Sequence, residues 1–468
     1  MLVYGALVPH PPLIVPKIGG DQLTGVQATV KGMQQIAVAV KQAEPETLVF
    51  LTPHGNVFAD ALSVLTTDIM KGDLGSFGHP DLKSSHPPDM ELVEGLLHRA
   101  KEVGVYMLGI DEALAWQHEL SWELDHGILV PLYYLEQAGL RDIPVVAVST
   151  GFISRERLYA FGKIIADAAR NLNRRIAIIA SGDMSHRLLD DGPYSYHPDG
   201  PTFDQDIRNL IEKRDVQGIL ELPEVLVQNA GECGYRSLVI LLGALEGRDF
   251  DSRVYSYEGP FGVGYLTAGF TPGGARQERK LQPYLQKISQ RKMESTREKE
   301  SLPVSWARRS LEHYIKTGGD KLELPDDVMA ELNRASGTFV TLKKDGRLRG
   351  CIGTIFPTRE NLGLEIRANA ISAGTRDYRF TPVTEEELEE LVYSVDVLTE
   401  PEPVKSIREL DAQRYGIIVR SGPRVGVLLP DLEGVDTVEE QVRIALQKAE
   451  IQPDEPYRIE RFEVKRYT

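Results

Sequence analysis

Three histidines directly follow, in sequence, apolar runs that have the length of buried strands. His10 follows LVYGALVP, His54 follows TLVFLTP, and His186 follows RIAIIASGDMS. In open α/β sheets, ligands bind at the carboxyl ends of the strands, so these three imidazoles are expected to converge on one crevice. Neutral imidazole is the commonest side-chain ligand for metals. The pattern therefore predicts a metal site at one edge of a sheet.

A carboxylate ligand is expected from AGECGYRSLVILLGAL, where Glu232 lies in a turn of small residues before a strongly apolar helix. A buried carboxylate there must be protonated, paired with Arg236, or bound to a metal. The alternative is a first-turn glutamate that is favoured by the helix dipole. Two histidines and one carboxylate suit Fe(II), with Mn(II) and Zn(II) also open.

Cys233 is a competing candidate because it stands directly beside Glu232. If its thiolate faces the metal, the site is softer, and copper or zinc becomes suitable. If it does not, Cys233 is a small buried apolar residue. Two further histidines, His118 in WQHELSWELDHG and His197 in YSYHPDGP, lie in polar and aromatic segments that could line the mouth of the site.

Composition limits the class of protein. The chain has 468 residues, 42% of them hydrophobic and 26% charged, which predicts a soluble protein of two or more domains. Its net charge of -16 makes nucleic acid an unfavourable partner. Two distant cysteines favour a reducing compartment, and the apolar start lacks a basic segment, so we expect a cytoplasmic protein without a membrane span. Composition leaves the oligomeric state open.

The order of apolar and amphipathic segments predicts three regions. In residues 1–272, short apolar runs alternate with helical patterns, which indicates an α/β domain with a mainly parallel sheet flanked by helices and a hairpin of edge strands near its end. Residues 273–300 form a charged linker for which we expect a helix. In residues 301–468, FVTLKKDGRLRGCIGTI predicts a hairpin, and the following helices and strands predict an α+β domain.

A second candidate site surrounds Cys351 in the last region. The glycines that flank this cysteine in LRGCIG allow close backbone approach, and Arg349, Asp377 and Arg379 could surround its thiol. Nearby cations would suit either a nucleophilic thiol or an anion pocket. The alternative is tight packing, with Asp377 and Arg379 paired as part of the structure.

The first region resembles a known family of enzymes. PHPP, TPHG, HGILVPL and GDMSH, in this order over residues 1–270, resemble the LigB-type class III extradiol ring-cleavage dioxygenases. The resemblance implies Fe(II), O2 and a small catechol-like substrate. It also implies that His10, His54 and Glu232 bind the metal, that His186 is the acid–base residue, and that His126 is a further active-site histidine.

Two more resemblances bear on function. GECG resembles the Memo proteins, which share this fold and place a cysteine at the position of Cys233. LRGCIGT, SAGTRDYRFTPV and VGVLLP resemble the AMMECR family, and the pairing resembles the AmmeMemoRadiSam system, which implies a radical-SAM partner. The sequence therefore leaves two hypotheses. The protein is either a ring-cleaving dioxygenase, or a metal-binding component of a modification system and has no ring-cleavage activity itself.

Overall fold

A computed structural model describes residues 1–319, 322–344, 346–432 and 434–468. The chain divides into two compact units, Met1–Ser289 and Gln290–Thr468. Each unit has its own hydrophobic core. Asp345, in the predicted Lys-Asp-Gly turn, lies outside the described residues.

The N-terminal unit alternates strands and helices along the chain. Its strands are β1 (Leu2–Val8), β2 (Thr47–Thr52), β3 (Ala61–Leu65), β4 (Met70–Leu74), β5 (His79–His86), β6 (Tyr106–Ile110), β7 (Val145–Ser149), β8 (Ile176–Ser181), β9 (Arg248–Glu258) and β10 (Tyr265–Ala275). Its helices are α1 (Pro16–Gly19), α2 (Gln27–Gln42), α3 (Met90–Ala100), α4 (Glu112–His118), α5 (His126–Gln137), α6 (Arg155–Asn171), α7 (Asp199–Lys213), α8 (Val216–Leu220), α9 (Glu224–Ala230) and α10 (Tyr235–Gly243).

The main sheet has the strand order β6-β3-β7-β2-β8-β1-β10-β9. The pairs β1–β8, β2–β8, β2–β7 and β3–β6 are parallel, whereas β10 is antiparallel to β1 and β9, and β3 to β7. The inner strands β2, β7 and β8 are buried over their whole length because helices cover both faces. One core lies under α3, α6 and α10, and the other under α2 and α5. The predicted mainly parallel α/β fold and its terminal edge hairpin are confirmed.

Strand register brings the predicted site residues to one edge of this sheet. β8 lies between β1 and β2, with Val8 opposite Ser181 and Leu51 opposite Ala180. The three strands run in the same direction, so the segments that follow them leave the sheet side by side. His10 and His54 stand on two of these segments, and the GDMSH segment is the third.

The C-terminal unit is an α+β fold. Its sheet has the order β12-β11-β13-β17-β15-β16, and β14 pairs with β17. Its strands are β11 (Thr338–Lys344), β12 (Arg347–Thr354), β13 (Leu391–Leu398), β14 (Glu402–Pro403), β15 (Tyr415–Ser421), β16 (Arg424–Leu428) and β17 (Arg458–Tyr467). Its helices are α12 (Leu302–Thr317), α13 (Asp326–Glu331), α14 (Leu362–Thr375) and α15 (Val438–Lys448). The predicted fold class and the β11–β12 hairpin are confirmed.

A helix occupies most of the predicted linker. This helix, α11, covers Gln282–Glu298, and the boundary between the two compact units falls inside it. β10 runs to Ala275, three residues beyond the predicted limit of the first region. Among the described helices, none combines the length and the apolar character needed to cross a membrane.

Candidate metal centre

His10 and His54 form the centre of the candidate site. His10 is buried, and its Nδ1 lies 2.9 Å from Ser181 Oγ. Ser181 donates its one hydroxyl proton to the Gly127 carbonyl, so its oxygen must accept a proton from His10 Nδ1. His10 Nε2 is therefore the unprotonated nitrogen, and it lies 2.8 Å from His54 Nε2. In this tautomer His10 Nε2 accepts a hydrogen bond from His54 Nε2, and the same lone pair could bind a metal in place of that proton.

His126 joins these two imidazoles. Its ring centroid lies 4.3 Å from that of His54 and 5.3 Å from that of His10. His126 is the first residue of α5, and Asp125 precedes it. The Asp125 carboxylate accepts the backbone N–H of Gly127, which caps the helix, and it also accepts the Thr52 hydroxyl at 2.7 Å. One ligand atom from each of the three histidines lies within 4.8 Å of the other two.

A second group of donors shares His10. Cys233 Sγ lies 3.7 Å from His10 Nε2, and a carboxylate oxygen of Asp183 lies 3.9 Å from the same nitrogen. Asp183 also accepts the backbone N–H of His10 at 3.0 Å. All three residues are buried. Asp183 was not among the predicted ligands, although it stands in the GDMSH motif two residues after the end of β8.

Glu232 lies beside Cys233 but belongs to neither group of donors. Its carboxylate accepts the backbone N–H of Tyr235, at the start of α10. Burial raises the pKa of Glu232, and the nearby Arg236 guanidinium opposes this shift. The contact with Tyr235 is the one expected of a glutamate that stabilises a helix start. Glu232 as the metal ligand stays a prediction.

His186 lies close to the group formed by His10, His54 and His126, and the Nε2 atom of His186 makes no hydrogen bond to that group. This buried nitrogen has no partner among the described residues, and its ring stacks on Tyr194 at 5.7 Å between centroids. Burial, together with the charge that His54 would carry, lowers the pKa of His186 to about 4. The imidazole is therefore neutral near pH 7 and can accept a proton.

The other predicted histidines lie outside both donor groups. His118 is exposed at the end of α4. His197 accepts the backbone N–H of Asp199 at 3.2 Å through Nδ1. Roles for His118 and His197 at the mouth of the site stay predictions.

The charge state of the donors fits a divalent cation. Burial lowers the pKa of His10 and His54, and it lowers that of His126 to about 4, so these imidazoles are neutral donors at pH 7. Burial raises the pKa of Asp183 to about 7 and that of Cys233 well above its ordinary value. A cation would stabilise the anionic forms that burial disfavours. The donor set therefore has the chemistry of a transition-metal site.

Two glycines set the distance between the segments that carry Asp183 and Cys233. A Cβ added to Gly182 would lie 2.0 Å from the Cα of Gly234. The backbone N–H groups of Cys233 and Gly234 both donate to the Asp183 carbonyl, at 3.3 and 2.9 Å. Only glycine permits this approach at position 182, since any side chain would separate the two segments.

The predicted residues around Cys351 are paired with protein groups. Arg349 holds the carboxylate of Glu387 through two hydrogen bonds, at 3.0 and 2.9 Å. Arg379 holds Asp377 in the same bidentate manner, at 2.9 and 2.7 Å. Asp377 also accepts the backbone N–H of Cys351 at 2.9 Å.

The Cys351 thiol is half-buried and lies 3.3 Å from the Thr341 hydroxyl. A Cβ added to Gly350 would lie 2.2 Å from the Ala373 carbonyl of α14, so the motif also has a packing role. Cys351 belongs to no donor group in the described part of the chain. Chemical roles for Cys351 and Arg349 stay predictions.

Comparison with known proteins identifies the families of the two regions. Residues 4–270 match the model of the catalytic LigB subunit of aromatic ring-opening dioxygenase. The chain belongs to the LigB family. Residues 304–468 match the AMMECR1 model, so this LigB-family chain carries an AMMECR1 domain after its LigB region.

Relatives share this arrangement in whole or in part. Protein CA_C1420 of Clostridium acetobutylicum is 40% identical over 462 residues, which are 98% of each chain. A Thermotoga maritima protein is 55% identical over 168 residues, 35% of this chain and 95% of its own. The crystal structure of uncharacterized protein PH0010 from Pyrococcus horikoshii is 34% identical, covers 36% of this chain and 90% of that one, and has a TM-score of 0.34.

Proposed function

We propose that the LigB-family unit binds Fe(II) and uses O2 to open a catechol-like aromatic ring. His10 and His54 supply the neutral nitrogen ligands in this proposal. Their Nε2 atoms are 2.8 Å apart. This proximity would allow both nitrogens to hold one ion, with the proton between them displaced.

The observation that carries the proposal is the unpartnered Nε2 of His186. Buried polar atoms in native proteins almost always have a hydrogen-bond partner, so an exception needs a reason. When bound, Fe(II) would acidify a coordinated catechol and hold O2 near the ring. His186, neutral near pH 7, would accept the proton of a catechol hydroxyl at Nε2 and later return it. Tyr194 would keep its ring in place.

A second function is favoured by a different observation. Cys233 Sγ lies near His10 Nε2, while the Glu232 carboxylate is used by the backbone of α10. A thiolate makes the donor set softer and favours copper or zinc over an oxygenase iron. In this case the chain would be a metal-binding component of a modification system, and it would act with a radical-SAM partner without cleaving rings.

Metal analysis and oxygen uptake separate the two functions. The full chain is reconstituted anaerobically with Fe(II), its iron content is measured, and oxygen uptake is followed on a panel of catechols. Ring cleavage predicts a ring-opened product, lost in His186→Ala but retained in the control His98→Ala, which removes an exposed histidine of α3. Full iron loading without any ring-opened product would rule out the first function. Direct binding to the radical-SAM protein of the same system would then support the second.

A further inference from the structure

A cavity of about 520 Å³ opens at the edge of the main sheet opposite the candidate metal centre. Its walls come from the start of β1, the last turn of α2, the strands β9 and β10, and the residue before β8. His10 follows the other end of β1, and the seven residues of this strand span roughly 20 Å. The cavity is therefore separate from the metal centre, and its role does not depend on the proposed function.

Two arginines line this cavity. Arg175 directly precedes β8, and its guanidinium donates to the carbonyls of Ala43 and Glu44, at 2.6 and 2.9 Å. Arg248 is the first residue of β9, and its guanidinium donates twice to the Gly273 carbonyl, at 3.1 and 2.8 Å. These contacts fix both side chains against the backbone at the end of α2 and in β10.

The backbone contacts leave the two positive charges uncompensated. A guanidinium has five N–H groups and stays protonated in proteins, so the two that each arginine uses here leave three for other partners. Within the described part of the chain neither guanidinium forms an ion pair, and the neighbouring Glu46 carboxylate accepts the backbone N–H of Arg175 instead. In a chain with a net charge of -16, the wall of this cavity is a local concentration of cations.

The amino group of Met1, which also lines the cavity, responds to these charges. Its pKa is lowered to about 6, first by burial and then by the charges of Arg170, Arg248 and Arg175. Glu46 has the opposite effect on this pKa without cancelling it. Arg175 and Arg248 therefore act on the same space, which favours an anion there.

The rest of the wall is aromatic and apolar. The hydroxyl groups of Tyr4 and Tyr255 lie 3.2 Å apart, and because one of their two protons lies between them, the other can be donated to a ligand oxygen. Apolar side chains complete the lining: Leu2, Val3, Ala39 and Pro272. The cavity thus combines a cationic part with an apolar part, and its volume is in the range of small-molecule sites.

We propose that this cavity binds a phosphate monoester that carries an apolar organic group. Arg175 and Arg248 would each donate to phosphate oxygens, and a dianion would compensate both charges. A monocarboxylate would compensate only one of them. The organic group would pack on Tyr255 and on the apolar lining, where it adds contact area that inorganic phosphate lacks.

The test uses four probes that separate charge from apolar contact. Binding of phenyl phosphate, inorganic phosphate, phenol and benzoate is measured by calorimetry on the full chain, after a chelator has removed all metal. Removal of the metal prevents phosphate from binding at the metal centre. Phenyl phosphate should bind at least about 10-fold more tightly than each of the other three probes.

Variants assign the binding to this cavity. Arg175→Gln and Arg248→Gln should each weaken phenyl phosphate binding by about 10-fold or more, because each removes one charge from the anion. Gln42→Glu should weaken it similarly, since it adds a carboxylate to the cavity wall and leaves the hydrogen bonds of both arginines in place. Arg141→Gln, which removes an exposed arginine outside the cavity, should bind like the wild-type chain. Thermal midpoints confirm that each variant is folded.

Each outcome supports or contradicts a part of the proposal. Failure of phenyl phosphate to bind, or equally tight binding of phenol, would overturn it. Equally tight binding of benzoate would contradict the pairing of two arginines with one dianion, and equally tight binding of inorganic phosphate would contradict the organic group. Unchanged binding in Arg175→Gln, Arg248→Gln and Gln42→Glu, or an equal loss in Arg141→Gln, would show that the anion binds elsewhere.

Discussion

At the sheet edge of the N-terminal unit, His186 Nε2 and Arg236 Nε are buried without hydrogen-bond partners among the described residues. Around Cys351 in the C-terminal unit, Arg349 and Arg379 each hold a carboxylate through two hydrogen bonds. Both places gather charged and nucleophilic side chains. Unpaired groups cost stability and need a ligand to compensate them, whereas fully paired groups already contribute to the fold. The difference supports the proposal that the first place binds a ligand, while chemical roles for Cys351 and Arg349 stay predictions.

The strongest test of this comparison removes the central imidazoles. His10→Ala and His54→Ala should each lower metal affinity by more than about 100-fold, because a direct ligand costs more than the groups that orient it. Bound metal is measured after dialysis against a weak chelator. His118→Ala, which removes an exposed histidine, should retain metal like the wild-type chain. Retention of metal in both ligand variants would show that the centre lies elsewhere.

Acid should destabilise the metal-free N-terminal unit through His186. Its pKa is about 4 when folded, against an ordinary value of 6.5. Between these values the unfolded chain binds a proton that the folded chain does not, so the free energy of unfolding falls as the pH falls. The loss from this residue should be about 2 kcal/mol between pH 7 and pH 5.

Urea unfolding of the metal-free full chain at pH 7 and at pH 5 measures this loss in the free energy of unfolding. His186→Asn should lose correspondingly less stability than the wild-type chain, whereas His118→Asn should match the wild type. An equal loss in His186→Asn would show that His186 is not neutral in the folded unit.

The third ligand can be identified by two neighbouring substitutions. Cys233→Ser should weaken metal binding by about 10-fold, because the thiol lies in the donor group with His10. Glu232→Gln should have a smaller effect, since the carboxylate caps α10 at Tyr235. Competitive titration with a chromophoric chelator gives both affinities. The opposite order would restore Glu232 as the ligand that the sequence predicts.

The smallest effect is expected at Cys351. Cys351→Ser should change the stability of the C-terminal unit by no more than about 0.5 kcal/mol, because the thiol makes one weak polar contact, with Thr341. Asp377→Asn should cost about 1–3 kcal/mol, since Arg379 and the Cys351 N–H both depend on this carboxylate. Urea unfolding monitored on the full chain compares the two. A large loss in Cys351→Ser would remove the contrast between the units.

The sequence was sufficient for the fold class and for the positions of His10 and His54. Long apolar runs identify the buried strands, and the segments that follow parallel strands emerge at one edge of the sheet, so these histidines could be placed from the sequence alone. The same reasoning predicted the hairpins β9–β10 and β11–β12, because turn residues separate alternating patterns.

The remaining ligands depend on features that periodicity does not contain. Glu232 and Cys233 are adjacent, and which side chain points inward depends on the turn before α10 and on the backbone contact with Asp183. Asp183 lies in an irregular segment between a strand and His186, where no repeating pattern fixes side-chain direction.

The contact between Gly182 and Gly234 limits how the amino-acid sequence of this centre can evolve. The segment that carries Asp183 and the segment that carries Cys233 are 50 residues apart along the chain, yet each occupies the space that a methyl group on the other would need. Neither can be replaced by a loop from a distant relative unless the other is replaced with it. The two segments therefore have to change together, and attempts to redesign the metal preference should exchange both at once.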